Sequence, residues 1–430
     1  MIDIQYIRDN PEIVKEKSKQ KGYPVDIDEL LRLDIERKEL LSGVEALRQK
    51  RNEIAAKMKS GKPEPSLVED GKQIKLELVK QEELLNNVAS SWLNLLKKVP
   101  NMPLEDVPVG ASEDQNIVSK EWGTKPEFHF KPKNHAQIAE SKGWIDKERA
   151  ARVAGSRFAY IKGDLALLHW AVLQYAINKL TDKKFIESVA KEQQLNVSMK
   201  PFLLVLPPLM IRTDLYDAMD RLEPREDRYK IEGEELWLQG SAEHVLGSMH
   251  ANETIDEDEF PIRYLGYATS FRQEAGNYGK DMEGIFRLHQ FDKLEMESLC
   301  LPENSYSEHL LMIAIQEKLM QGLEIPYRVL NKCTADIGKP NAHGVDIDAW
   351  LPGQNNYRET HTADYMGDYQ SRRLQTKVKR ADKIELVHTN DATAFSQRPL
   401  IAIIENYQTK DGDVAVPEAL KPYLNGRELL

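Results

Sequence analysis

Cysteine is nearly absent: Cys300 and Cys333 are the only two in 430 residues. That excludes a disulfide framework and fits a reducing compartment, here expected to be the cytoplasm. Two isolated thiols make no zinc-ligand cluster either. Long apolar runs are missing too. None approaches the ~20 residues of a membrane span, so no membrane partner is expected. The opening MIDIQYIRDNPEIVKEK has acids early and no apolar core, which argues against a secretory signal. Positive charge is in deficit: 59 Lys and Arg against 70 Asp and Glu give a net charge of −11. Blanket affinity for nucleic acid, DNA included, is excluded by that balance. Any RNA site must therefore be a local basic patch.

What is present suffices for a large catalytic domain and an appendage. Charged residues make up 30% and hydrophobic residues 41%, a composition that builds a sizeable core and argues against disorder. The chain is organised around residues 270–297, SFRQEAGNYGKDMEGIFRLHQFDKLEME. Residues 264–271 are apolar and aromatic enough for a strand, and 284–297 alternate apolar with polar residues. A polar loop with Gly276 and Gly279 joins them, so two antiparallel strands are expected. Arg272 and Arg287 stand near the two strand–loop junctions, and their planar forks suit phosphate or carboxylate oxygens. Phe291 offers a flat face for a base, while Glu274 and Glu295 can accept hydrogen bonds from amines. A solvated hairpin would need no such set.

The FRxEAG start and the RxHQFxKxE end of this stretch resemble motif 2 of the class II aminoacyl-tRNA synthetases, and within them the seryl-tRNA synthetases. The resemblance covers nearly the whole chain. It implies an α+β fold: an N-terminal antiparallel two-helix coiled-coil arm within 1–103, a connector at 104–133, and a class II catalytic domain at 134–430. That domain is expected on a mainly antiparallel sheet flanked by helices.

Taken in order, residues 1–24 read as a helical lead-in, and two long helices follow. In the first, Leu33, Leu40, Leu47 and Ile54 repeat every seven residues, with Leu30 and Val44 on the same side. In the second, Ile74, Leu78, Leu85, Val88, Trp92, Leu95 and Val99 mark the same kind of seam. The link 60–65, SGKPEP, breaks helix and folds them back. Arg48, Lys50, Arg51, Lys57, Lys59 and Lys62 crowd the turn. A charge run is usually a solvated face; here cations spaced along a rigid arm match the phosphates of a nucleic-acid backbone. The resemblance implies tRNA(Ser) as the partner held by this arm.

Beyond the Pro-rich connector, a helix at 165–180 and a buried strand at 201–210 resemble motif 1, which builds a dimer interface, so a homodimer is implied. Residues 183–228 depart from the family pattern. Ser241-Ala242-Glu243 stands where the family has Thr-Ala-Glu against its serine substrate; by itself Ser241 is an ordinary helix cap. An amphipathic helix at 310–323 and a strand from 325 follow. Alternation at Val345, Ile347, Ala349 and Leu351 marks another strand with acids on its other face. Tyr357-Arg358-Glu359-Thr360-His361-Thr362 replaces the family's YREISS, whose acid and last serine lie near Mg²⁺ and ATP. Carboxylate and hydroxyl oxygens serve a hard cation, so Glu359 and Thr362 are the implied ligands and His361 a bystander. Arg398, ahead of an apolar strand at 399–404, resembles the motif 3 arginine that reaches the triphosphate. The family's Asn-Gly-Ser appears as Asn390-Asp391-Ala392-Thr393, with Asn390 and Thr393 in the serine pocket and Ala392 the competing register.

These groups suit amino-acid activation, an in-line attack of a carboxylate on the α-phosphorus of ATP. Two anions must meet, so the site cancels charge rather than supplying a nucleophile. The implied assignments are Arg272 to the α-phosphate and substrate carboxylate, Arg398 to the γ-phosphate and Arg287 to the bent pyrophosphate end. Glu274 and Phe291 would take adenine; Ser241, Glu243, Glu295, Asn390 and Thr393 would take L-serine. Two rival readings are a homologue that loads an amino acid onto a carrier protein and an inactive RNA-binding paralogue. The first tends to lack the arm, and the second has no need of the charged set.

Overall fold

The computed structural model describes residues 1–59, 64–274 and 283–430. Contacts divide the chain into two units, Met1–Met102 and Pro103–Leu430.

The first unit is helical. Helix α1 (Ile4–Asp9) starts at Asp3, whose carboxylate accepts from the Gln5 amide at 2.7 Å. Helix α2 (Pro11–Gln20) carries proline at its first position, where the missing N–H costs nothing. Helices α3 (Ile27–Lys59) and α4 (Pro65–Lys98) then run antiparallel. Arg48 meets Glu82 at 2.7 Å and Arg37 lies 4.3 Å over the Trp92 ring. A Cβ on Gly71 would come within 3.3 Å of Met58, so the backbones approach closely there. The heptad residues form the seam: Leu33, Val44 and Leu78 are buried, and Leu40, Leu47, Ile54, Ile74, Leu85, Val88 and Trp92 are half-buried. Leu76 and Val79, off the seam, are exposed. Pro65, expected in the breaking link, instead opens α4. The turn at 60–63, Lys62 included, lies outside the described residues. Arg48, Lys50, Arg51, Lys57 and Lys59 are exposed, but Arg48 is already engaged by Glu82.

The second unit is built on an eight-stranded sheet. Its strands are β1 (Ile117–Trp122), β2 (Leu203–Val205), β3 (Ile262–Phe271), β4 (Gln290–Cys300), β5 (Tyr327–Asn331), β6 (His343–Leu351), β7 (Asn356–Gly367) and β8 (His388–Ser396). The order is β1-β5-β6-β7-β8-β4-β3-β2. Every pairing is antiparallel except β2 with β3. Alternation assigns the faces. Leu294 and Met296, Ala392 and Ala394, Ala363, and Val345, Ile347 and Ala349 join the apolar core with helices α5 (Asp164–Leu180) and α8 (Ser305–Gly322). Glu295, Thr393, Thr362 and Asp346 come from the intervening positions and make the opposite face polar. Helix α8 is anchored by a buried ion pair in which Arg263 Nε and Nη2 donate to Glu308 at 2.8 and 2.5 Å. Removing one partner would cost about 3–5 kcal/mol through the charge left behind.

Four expectations about elements need correction. Residues 201–210 form no buried strand: β2 is a three-residue edge, with Leu203 63% and Leu206 75% exposed. Residues 399–404 are not a strand but lie in helix α9 (Gln397–Asn406), which Ser396 caps by accepting from the Arg398 amide at 3.3 Å. An apolar run of that length fits either element, and Pro399 near a capped start favours helix. The strand expected from 284 begins at Gln290. Gly284 turns with φ of +58°, and a Cβ there would meet His135 Nε2 at 2.1 Å, so only glycine fits that corner. The stretch 104–133 is more than a connector, because it supplies β1.

Candidate active site

The hairpin of β3 and β4 places the motif around Arg272 on the polar face. Phe271 pairs with Gln290, and the Arg272 amide donates to the His289 carbonyl at 2.9 Å, closing the base of the loop. The loop tip at 275–282, with Gly276 and Gly279, lies outside the described residues. An open cleft of about 650 Å³ lies on the polar face of the sheet. Arg272, Glu274, Phe286, Arg287, Phe291 and Lys293 line it from the hairpin. Glu359, Thr360 and Thr362 line it from β7, Thr393 and Ser396 from β8, and Gln397 and Arg398 from α9.

The cations in this cleft are held by acids. Arg287 pairs with Glu274, Arg398 with Glu359 at 2.8 Å, and Lys293 with Glu295 at 2.6 Å. Arg272 differs. Its Nε donates to the Gly240 carbonyl at 3.0 Å and its guanidinium lies 5.4 Å from the Phe291 ring centre. Burial and the like charge of Arg228 lower its basicity, and Arg398 adds to them against the pull of Glu274. A cation surrounded by cations is a place for an anion. Burial works to raise Glu359, but Arg398 and then Lys332 outweigh it and bring the carboxyl down to about 2. On the next strand burial pushes Asp346 up to about 8, against Lys332 at 3.5 Å. Asp346 pairs in register with Thr362, whose Oγ1 is buried without a hydrogen-bond partner. Two carboxyl groups and a hydroxyl offer oxygens to a hard cation that also takes substrate oxygens and water. Among the described residues no three His, Cys, Asp or Glu side chains form a closed metal cage. His361 is buried against Thr360 at 2.9 Å, and burial lowers it to about 3, so it stands apart from the cleft.

A second cluster of polar residues continues from the cleft. Glu295 is the cross-strand partner of Thr393. Ser241 Oγ donates to Glu295 Oε2 at 3.2 Å and also accepts from the Glu243 amide at 3.4 Å, so it caps a helix and ties that helix to Glu295. That cap opens helix α7 (Ala242–Leu246) and fixes Glu243 in its first turn. Burial raises the Glu295 carboxyl, while Lys293 opposes the rise.

Asn390 does not belong here. Its Nδ2 donates to the Ser305 carbonyl at 3.1 Å on the α8 side, because strand parity puts it opposite Thr393. Ala392 is likewise in the apolar core, whereas Thr393 lines the cleft. Sequence reasoning named Lys293 only as part of a motif and missed Asp346, Lys332, Phe286 and Arg221. The acids facing away from Val345 and Ile347 were the signal for Asp346; Arg221 sits in a loop without periodicity.

Two family models match the chain. The tRNA synthetase class II core domain (G, H, P, S and T) covers residues 227–407, and the seryl-tRNA synthetase N-terminal domain covers residues 1–103. A serine–tRNA ligase of Nitrosopumilus maritimus is 36% identical over all of both chains. One of Deinococcus radiodurans is 38% identical over 100% of this chain and 99% of its own. The crystal structure of seryl-tRNA synthetase from Pyrococcus horikoshii complexed with ATP superposes with a TM-score of 0.89 at 35% identity, over 100% of this chain and 99% of the other.

Proposed function

The chain belongs to the seryl-tRNA synthetase family, and we propose that it activates L-serine with ATP and transfers the seryl group to tRNA(Ser). The observation that carries this reading is a cleft lined by Arg272, Arg287 and Arg398 together with Thr393, whose cross-strand partner Glu295 accepts from the Ser241 hydroxyl. Serine's carboxylate attacks the α-phosphorus and pyrophosphate leaves; the terminal ribose hydroxyl of tRNA then attacks the carbonyl carbon of the adenylate, forming the ester and releasing AMP. Arg272 takes the α-phosphate and the substrate carboxylate, where its crowding by Arg228 and Arg398 leaves it short of an anion. Arg398 takes the γ-phosphate and Arg287 the bent pyrophosphate end. Phe291 stacks on adenine, and Glu274 reads its amino group. Glu359 and Thr362, with Asp346 beside them, would hold Mg²⁺, which neutralises phosphate charge when bound.

Ser241, Glu243, Glu295 and Thr393 bind serine. A pocket that expects a hydroxyl leaves buried groups unpaired when alanine enters. Thr393→Val keeps the volume and removes one hydrogen bond, worth about 1–3 kcal/mol in a closed site. Serine should lose more than alanine, and the serine-to-alanine ratio in pyrophosphate exchange should fall about ten- to a hundredfold. An unchanged ratio would remove Thr393 from the pocket.

Exposed Leu203, Leu204, Leu206, Leu209 and Met210 at the β2 edge, with Leu167 and Trp170 on α5, support a homodimer through this region. The exposed cations of α3 support tRNA binding by the arm. No helix among the described residues is long and apolar enough to cross a membrane, and a cytoplasmic location fits the two free cysteines. Presence of the arm and of every charged group in the cleft counts against a carrier-loading homologue and an inactive paralogue. Serine-dependent exchange of pyrophosphate into ATP, followed by transfer to bulk tRNA, tests the reading. Absence of exchange with serine would overturn it.

A further inference from the structure

We propose that Arg221 is a positioning residue for the amino-acid pocket: it fixes Glu243 so that one carboxylate oxygen faces the substrate, acting as the cation of a buried row of acids behind that pocket. The proposal rests on the serine-activation reading above.

Arg221 comes from the loop after helix α6 (Thr213–Ala218), in the stretch that departs from the family pattern. Its Nε donates to Glu243 Oε1 at 2.7 Å, and Gln370 Nε2 donates to the same oxygen at 3.1 Å. Both bonds end on Oε1, which leaves Oε2 for a substrate donor. The side chains are 16% and 6% exposed, so this is an enclosed pair rather than a surface one. At the other end of the guanidinium, Nη2 donates to Asn341 Oδ1 at 3.3 Å and lies 3.7 Å from Asp391.

Asp391 belongs to a transverse row. Register sets Glu297 on β4 opposite Asp391 on β8, and Asp391 opposite Asp364 on β7. The row lies one same-face step along the strands from the Glu295–Thr393 pair, and its members are 0%, 3% and 8% exposed. Neither carboxylate oxygen of Glu297 has a hydrogen-bond partner. Burial, then Asp391 and Glu243, hold its carboxyl well above the usual range. Arg221 feels Glu243, Asp391 and Asp364 together, and their attraction outweighs its own burial. Without that guanidinium, Glu243 would lose the donor that fixes Oε1 and would be free to turn among the neighbouring acids. That turn would withdraw the oxygen presented to serine. ATP is gripped by other residues, so the loss should fall on the amino acid alone.

The test is pyrophosphate-exchange kinetics on three variants. Arg221→Met, similar in length and uncharged, should raise KM for serine about 10- to 100-fold and leave KM for ATP within about twofold. Arg221→Lys, which keeps charge without the fork, should give a smaller rise in the same direction. The double variant Arg221→Met/Asp391→Asn removes an acid along with the cation, and decides the matter if the single variant does not fold. A rise confined to the amino acid in any folded variant supports the proposal. Equal movement of both KM values, no movement, or failure of all three to fold would overturn it, the last by making Arg221 a framework residue. Wild-type exchange is run with every proteinogenic amino acid. Preference for another one would overturn the serine reading, and the KM split for that amino acid would still decide Arg221.

Discussion

Arg272→Ala is expected to leave almost no serine-dependent pyrophosphate exchange in a chain that stays folded. The proposed step joins two anions, and on that reading this guanidinium would stand between them. Its Nε bond to the Gly240 carbonyl at 3.0 Å points the planar fork, and the Phe291 face below restricts its rotation. Donors aimed in advance at developing charge are worth about 10²–10³ in rate each. A side chain that meets both reactants should cost at least that, so kcat/KM should drop by about a thousandfold or more. Folding should tolerate the loss. Without substrate, Arg272 is pushed by Arg228 and Arg398, and truncation removes repulsion along with one hydrogen bond. The thermal midpoint should therefore move little while activity collapses. Near-wild-type exchange, or a loss of activity matched by a loss of fold, would take Arg272 out of the role.

The second large effect concerns the arm. Replacing residues 28–100 with a short Gly/Ser linker should leave serine activation within about twofold, since every group in the cleft belongs to the unit Pro103–Leu430. Transfer to tRNA should fall by at least about a hundredfold, because phosphate contacts supply much of the affinity. Intact protein should bind tRNA more weakly as salt rises. Lys50, Arg51, Lys57 and Lys59 are exposed on α3. Four phosphates met by these cations would give a log–log slope of about −3 to −4. Normal charging by the armless protein would assign the arm another task.

Much of this was legible beforehand, and the reasons differ by element. The arm was readable because a heptad repeat specifies its own partner: seam residues must face a second seam. Strand β6 was readable because alternation over Val345, Ile347 and Ala349 leaves one face to the core. Helix α9 was misread because Pro399–Ile404 is apolar throughout, and a fully buried run shows no period. Edge strand β2 was misread for a related reason. Its leucines look like core, yet they sit at the sheet's rim, with Leu203 63% and Leu204 39% exposed. Within the site, strand parity separates residues that a motif lists side by side. Asn390 and Thr393 lie three positions apart, so they point to opposite faces, and only Thr393 reaches the cleft. Arg221 was beyond sequence reasoning because its position follows from a loop's path, not from any repeat.

Arg287 holds Glu274, Arg398 holds Glu359, and Lys293 holds Glu295. On the function proposed above, ATP and serine would enter by swapping partners: a phosphate oxygen would take Arg398 from Glu359, whose carboxylate would then be available to a cation. Entry would thus be a trade between contacts of similar strength, and affinity would depend on how cleanly the outgoing carboxylate is rehoused. For Glu359 the nearby oxygens are those of Thr362 and Asp346.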